Sequence, residues 1–167
     1  MSPDERLTRS SFSGRMQPIV TPQPMPLLPG RIWSDKDWER IQRGCRARDM
    51  DERWDVFVED DVVSLHRSWT GHGIFQATFA PGEGGRRITA AVVERNRKRY
   101  RGGGDEHDCL TLELLISVVV LGEAAEGLHA RIAALPRKAS GWGASVPPFR
   151  RFLRGLRPRG APKRRTG

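Results

Sequence analysis

Between Trp33 and Leu135 the hydrophobic positions change rhythm several times, and each rhythm predicts an element. In SDKDWERIQRGCRARDM, from Ser34 to Met50, Trp38, Ile41 and Cys45 fall at i, i+3 and i+7 on an otherwise charged surface. That spacing is one apolar stripe of a helix. Ser34 followed by Asp37 reads as a capping box, with acids in the first turn and arginines in the last. Four runs that alternate or are rich in β-branched residues come next: WDVFVED, VVSLHRSW, GIFQATF and RRITAAVVERN, starting at Trp54, Val62, Gly73 and Arg86. Asp60-Asp61, TGHG and PGEGG separate them, which is the signature of an antiparallel meander. DCLTLELLISVVVLG, from Asp108 to Gly122, is almost continuously apolar. It predicts a buried helix started by Asp105 or Asp108 and stopped by Gly122, although Val118-Val119-Val120 alone would also suit a strand. EAAEGLHARIAAL predicts a second helical piece. The fold class is therefore α+β: an antiparallel four-stranded meander packed against one or two helices.

The two ends of the chain break this pattern. Residues 1–30 carry Pro3, Pro18, Pro22, Pro24, Pro26 and Pro29, each removing a donor and biasing its predecessor to extended geometry, so a disordered or polyproline-like arm is expected. Of the 29 Lys and Arg, ten lie after Pro136 with no acid among them, which leaves residues 1–135 with 19 bases against 20 acids. The net charge of +9 thus belongs to the tail. The organisation expected is an arm over 1–30, one α+β domain over 31–135, and a basic, mostly disordered tail over 136–167. Within the tail, Phe149, Phe152, Leu153 and Leu156 have helical spacing among Arg150, Arg151, Arg154 and Arg157, followed by Lys163, Arg164 and Arg165. These seven cations are the candidates for weak nucleic-acid binding. No apolar run approaches the ~18 residues of a membrane span. Arg6 and Arg9 have no apolar run behind them, which points to the cytoplasm rather than to secretion. Cys45 and Cys109 lack ligand spacing and read as thiols in a reducing compartment.

Candidate chemistry gathers in LHRSWTG, residues 65–71. Alternation puts Val62, Ser64, His66 and Ser68 on one face and Val63, Leu65, Arg67 and Trp69 on the other, greasier face, which should meet the helices. One reading pairs Arg67 with an acid such as Asp108 or Glu113 and packs Trp69. The other has both lining a pocket, a guanidinium fork for phosphate and a flat ring for a base or sugar. His66 with Glu59 or Asp108 is the weak catalytic alternative, since Ser64 and Ser68 flank the imidazole but no orienting acid is placed. His66, His72, His107 and Asp108 lack recognised ligand spacing, so no metal is assigned, and no cofactor motif is present. ERNRKRYRGGGDEHD adds Asn96, Arg97 and Tyr100 in a loop that leads to a helix N-terminus, a geometry suited to anions.

Taken in order, Trp54 with Glu59-Asp60, then Leu65 to Gly71 with Ile74-Phe75, then Asn96-Arg97 with Tyr100, then Asp105 and Asp108, resembles a family of small uncharacterised bacterial domains. Some of these are fused to or associated with ADP-ribosylglycohydrolases. The similarity covers about residues 52–121. It departs at Lys98-Arg99, where the family is more acidic, and in the basic tail. The resemblance implies the fold and a link to ADP-ribose, without established catalytic residues. Three functions follow. The first is a non-catalytic module binding a nucleotide-like ligand or an ADP-ribosylated protein through His66, Arg67, Trp69, Asn96, Arg97 and Tyr100. The second is a small hydrolase that reverses ADP-ribosylation. The third is a nucleic-acid-associated protein acting through its tail. The first two require His66, Arg67, Asn96 and Tyr100 to converge on one cleft.

Overall fold

The chain's first regular helix ends earlier than its charge pattern suggests. The structure, a computed structural model, describes residues 5–136. Helix α1 spans Asp35–Arg43 and begins with the expected capping box: Ser34 Oγ accepts from the Asp37 amide at 3.1 Å, and Asp37 Oδ2 accepts from the Ser34 amide at 3.3 Å. It stops at Gly44, which has φ 73°, and a Cβ there would lie 2.5 Å from the Val56 carbonyl oxygen. Trp38 and Ile41 are buried as predicted. Cys45 leaves the helical stripe and exchanges backbone hydrogen bonds of 2.8 and 2.7 Å with Val56.

Five antiparallel strands form one sheet in the order β1-β5-β4-β3-β2: β1 Pro22–Pro24, β2 Trp54–Glu59, β3 Val62–Arg67, β4 Gly73–Gly82 and β5 Gly85–Glu94. The meander is the predicted one. The fifth strand corrects the expectation of four, and it comes from the arm that was expected to be disordered. Prolines exclude a central strand but suit an edge, where a missing donor leaves no gap in an inner ladder. The arm is held by the Met25 amide to the Ala91 carbonyl at 2.8 Å and by the Arg95 amide to the Thr21 carbonyl at 2.9 Å. Buried Glu94 accepts from the amides of Val20, Thr21 and Asn96 at 2.9 to 3.0 Å. Burial alone would raise its pKa, but those three amides hold it below the usual carboxylate range.

One face of the sheet is packed by the helices, and the other is covered by the arm around Phe57. On one lie Trp54, Val56, Val63, Leu65, Phe75, Phe79 and Val93, packed with the helices, and there Trp33 and Trp38 bracket Phe79 with ring centroids at 5.3 and 4.9 Å. On the other, Phe57 meets Phe12 and Met16 of the arm. Helix α2, Asp105–Leu114, runs into a π-helical segment, Leu115–Val120, and α3 follows at Glu126–Ala134. The valine run is thus helical. The Leu121 amide reaches back to the Ile116 carbonyl at 3.1 Å, and the chain turns at Gly122, with φ 70°. Arg40 donates to the Leu121 carbonyl at 2.6 Å, and Arg31 forms a two-pronged pair with Glu123 at 2.7 and 2.8 Å. Each ties the start of the domain to the end of the buried helix. No helix among the described residues is long and apolar enough to cross a membrane. The tail candidates Arg150, Arg151, Arg154, Arg157, Lys163, Arg164 and Arg165 lie outside the described residues.

Candidate ligand-binding site

One end of the sheet gathers most of the residues singled out in the sequence. Register pairs Trp54 with Arg67, His66 with Gly73, and Phe75 with Val93. The loop before β2, the 68–72 turn and the 95–104 loop therefore open at the same end, where arm residues Arg15 to Thr21 also pass. Being at one end is not the same as sharing a cleft, and the expected convergence does not occur.

His66 points to the arm side. It is 1% exposed, its ring lies 5.2 Å from that of Phe57, and its Nδ1 donates to the Gly71 carbonyl at 2.9 Å when the ring is neutral. Burial depresses its pKa, the Gly71 bond opposing. Opposite it on β2 stands Asp55, fully buried, with Oδ1 accepting from the Ala47 amide at 2.8 Å and Arg15 at 3.6 Å from Oδ2. Oδ2 makes no hydrogen bond, and burial pushes the carboxyl upward in pKa. Glu59 is exposed at the opposite end of β2, accepting from the Arg9 amide at 3.1 Å. Asp108 belongs to the helix side. The three catalytic candidates, His66, Glu59 and Asp108, are therefore kept apart, because strand alternation separates the first from the last and strand length separates Glu59 from both.

On the helix side a different cluster forms. Buried Asp108 accepts from the Tyr100 hydroxyl at 2.8 Å through Oδ1 and from Arg95 at 2.6 Å through Oδ2, and Arg95 also reaches Asp105 at 3.2 Å. Burial would raise the Asp108 pKa, but hydrogen bonds from His107, Arg95 and Tyr100 hold it low. Tyr100, buried against Phe75 at 5.5 Å, is pushed well above the usual phenol range by burial and by that carboxylate. Asp108 is thus no helix cap; the cap position is Gly104, and Gly102 is needed because a Cβ there would sit 2.7 Å from Asp108 Oδ1. Arg67 lies over the Trp54 ring at 4.4 Å, and burial lowers its pKa. Asn96 builds a turn: its Oδ1 accepts from the Lys98 amide at 3.0 Å, and its carbonyl accepts from the amides of Arg99 and Tyr100 at 2.9 Å. Arg97 stands exposed on that turn. Among the described residues no group of three or more His, Cys, Asp or Glu is placed to hold a metal.

The residue that behaves as neither core nor cap is Trp69. β3 ends at Arg67, and the 67–72 turn closes through the Gly71 amide to the Arg67 carbonyl at 2.8 Å and the Arg67 amide to the His72 carbonyl at 2.9 Å. This lifts Trp69 off the sheet, 65% exposed, so the expectation that it packs on the helix face fails. Segments that carry Arg15, Arg53 and Arg99 meet the turn. The Arg53 carbonyl accepts from the Ser68 amide at 2.9 Å. The Arg15 backbone presses on Gly71, where a Cβ would lie 2.0 Å from the Arg15 oxygen. Arg99 donates to Gln17 Oε1 and the Pro18 carbonyl, both at 3.3 Å, while Gln17 itself bonds the Gly71 carbonyl and the Gly73 amide at 2.8 and 2.9 Å. His72, on the same turn, has a lowered pKa through burial and the Arg99 charge. Arg15 and Arg53 carry no signal in the sequence, because no local pattern says which segments a turn will meet. No family model, no curated protein and no solved structure matches the chain.

Proposed function

We propose that this chain is a non-catalytic binding module that takes a phosphorylated, base-bearing ligand on the rim around Trp69, in place of the cleft expected of His66, Arg67, Asn96 and Tyr100, which does not form. The observation that carries the reading is a tryptophan 65% exposed in a turn contacted by segments bearing Arg15, Arg53 and Arg99. A large apolar ring in water is an unfavourable place to leave burial unused, and it suits stacking on a base or sugar. Guanidinium groups beside it suit phosphate oxygens. The ligand residues are then Trp69, His72, Arg99, Arg53 and Arg15, with Arg97 at the margin. His66, Arg67, Asn96 and Tyr100 hold the scaffold behind them. The resemblance to domains associated with ADP-ribosylglycohydrolases makes ADP-ribose, free or protein-attached, the first ligand to try.

A ligand that binds only the folded chain raises its melting temperature, by about 1.4 kcal/mol of added stability at ten times Kd, or roughly 5 °C for a chain of this size. ADP-ribose or AMP should produce that rise in the parent and none in Trp69→Ala. No rise with any phosphorylated nucleoside, or an undiminished rise in Trp69→Ala, overturns the reading.

A further inference from the structure

Resting on the Trp69 rim as a binding site, we infer that its ligand is a single-stranded nucleic acid rather than one nucleotide. A mononucleotide needs one ring and one or two cations, and the rim does not stop there. The loop between β5 and α2, which carries Arg99, also carries Arg97, Lys98 and Arg101, all three exposed. That loop is fixed, not splayed: Asn96 closes its turn, Arg99 is tied to the arm, and Tyr100 plugs into the core against Asp108. The loop therefore holds its cations in a fixed place at the same end of the sheet as the ring, joined to the Trp69 turn through Arg99 and Gln17. Acids precede Arg53 in the chain and open α2 after the loop. Asp49, Asp51 and Glu52 lie before Arg53, and at the foot of α2 Asp105 is already engaged by Arg95, with Glu106 exposed beside it.

A stacking aromatic with a cationic track is how single strands are held without base readout, because every base offers a ring face and the backbone offers a phosphate at each step. Duplex cannot use the ring, since its bases are already stacked. Single Trp69 with a short track implies a footprint of a few nucleotides, at the low end for one module.

The test uses the full chain and two labelled probes, a single-stranded oligodeoxyadenylate of about 12 nucleotides and a duplex of the same length. AMP and ADP-ribose are titrated in parallel. Expected are micromolar or tighter binding of the single strand, a loss of roughly 5- to 100-fold in Trp69→Ala, and unchanged duplex binding in that variant. Combined Arg97→Gln, Lys98→Gln and Arg101→Gln should flatten the dependence of log affinity on log salt by about 2, near 0.7 for each phosphate contact. If AMP or ADP-ribose binds through Trp69 as tightly as the oligonucleotide, the rim reading stands and this inference is overturned. If Trp69→Ala leaves single-strand and mononucleotide binding alike untouched, both are overturned.

Discussion

Tyr100 and Trp69 stand at the same end of the sheet, yet one is 6% exposed and the other 65%. The Tyr100 hydroxyl ends on Asp108, Asp108 ends on Arg95, and Arg95 ends on Asp105. Every polar group in that chain of contacts has a partner supplied by the fold. Around Trp69 the relation is reversed. The backbone of the turn is tied down at Gly71 and Gly73, while the Trp69 ring is left in water. Two aromatic residues at one end of the sheet therefore sit in surroundings of opposite physical character. In the first, charge is spent inside the molecule, where breaking a pair leaves a buried ion without compensation. In the second, backbone rigidity holds an exposed ring in place, as a pre-organised surface requires.

Variants can break that contrast from either side. The largest effect belongs to Asp108→Ala, which strands the Tyr100 hydroxyl and Arg95. With Arg95 a quarter exposed, water recovers part of the loss, and a destabilisation of about 3 kcal/mol is expected, a melting point lower by roughly 10 °C. Glu94→Gln comes next. It turns a carboxylate that accepts three amides into a group whose own N–H opposes one of them, at about 2 kcal/mol. The strand of the arm should loosen with it, so limited trypsin digestion should cut at Arg15 faster than in the parent. Tyr100→Phe removes one hydrogen bond to a charged acceptor and should lower stability by about 1.5–2 kcal/mol without touching the rim.

A smaller effect comes from acid. His66 is held below its ordinary pKa by burial, so the unfolded chain takes up a proton before the folded one does. Its contribution to stability is present above ~6.5 and is lost as pH falls toward the folded value. Glu94 and Asp108, both depressed, add the same trend only below ~4, the ordinary carboxylate range. Asp55, raised by burial, runs the other way: its contribution is full in acid and fades as pH climbs through the folded value. Between pH ~6.5 and ~5 the melting point should fall through His66, a trend that His72 and His129, also depressed by burial, share. In His66→Asn, which can still donate to the Gly71 carbonyl, that slope should flatten. An unchanged slope would assign the acid sensitivity to another group.

The parts of this architecture legible in the sequence are those set by local rules. The Ser34-Asp37 cap, the four strands with their turns, and the stop at Gly122 follow from residue types and spacing. What escaped were meetings between distant segments. Prolines at 22 and 24 forbid a central strand but not an edge strand, and only the exposed margin of β5 decides between edge and coil. Alternation along β3 correctly separated His66 from Arg67. That separation alone rules out the single cleft, since two neighbours on a strand face opposite ways. Trp69 was misread because it was counted as part of β3, whereas the turn closes two residues earlier and carries the ring outside. Asp55 and Glu94 gave no signal beyond an acid inside an alternating run, a pattern that solvated strands share.

Trp69→Ala should be the mildest change to stability, within about 0.5 kcal/mol of the parent, as for surface positions generally. That makes one paired measurement decisive: calorimetric titration of AMP, ADP-ribose and a single-stranded oligonucleotide into Trp69→Ala and Tyr100→Phe, each with its melting point. The account predicts that Trp69→Ala keeps its melting point and loses affinity, while Tyr100→Phe loses melting point and keeps its Kd. The opposite pairing, with affinity lost at Tyr100 and stability lost at Trp69, would contradict it.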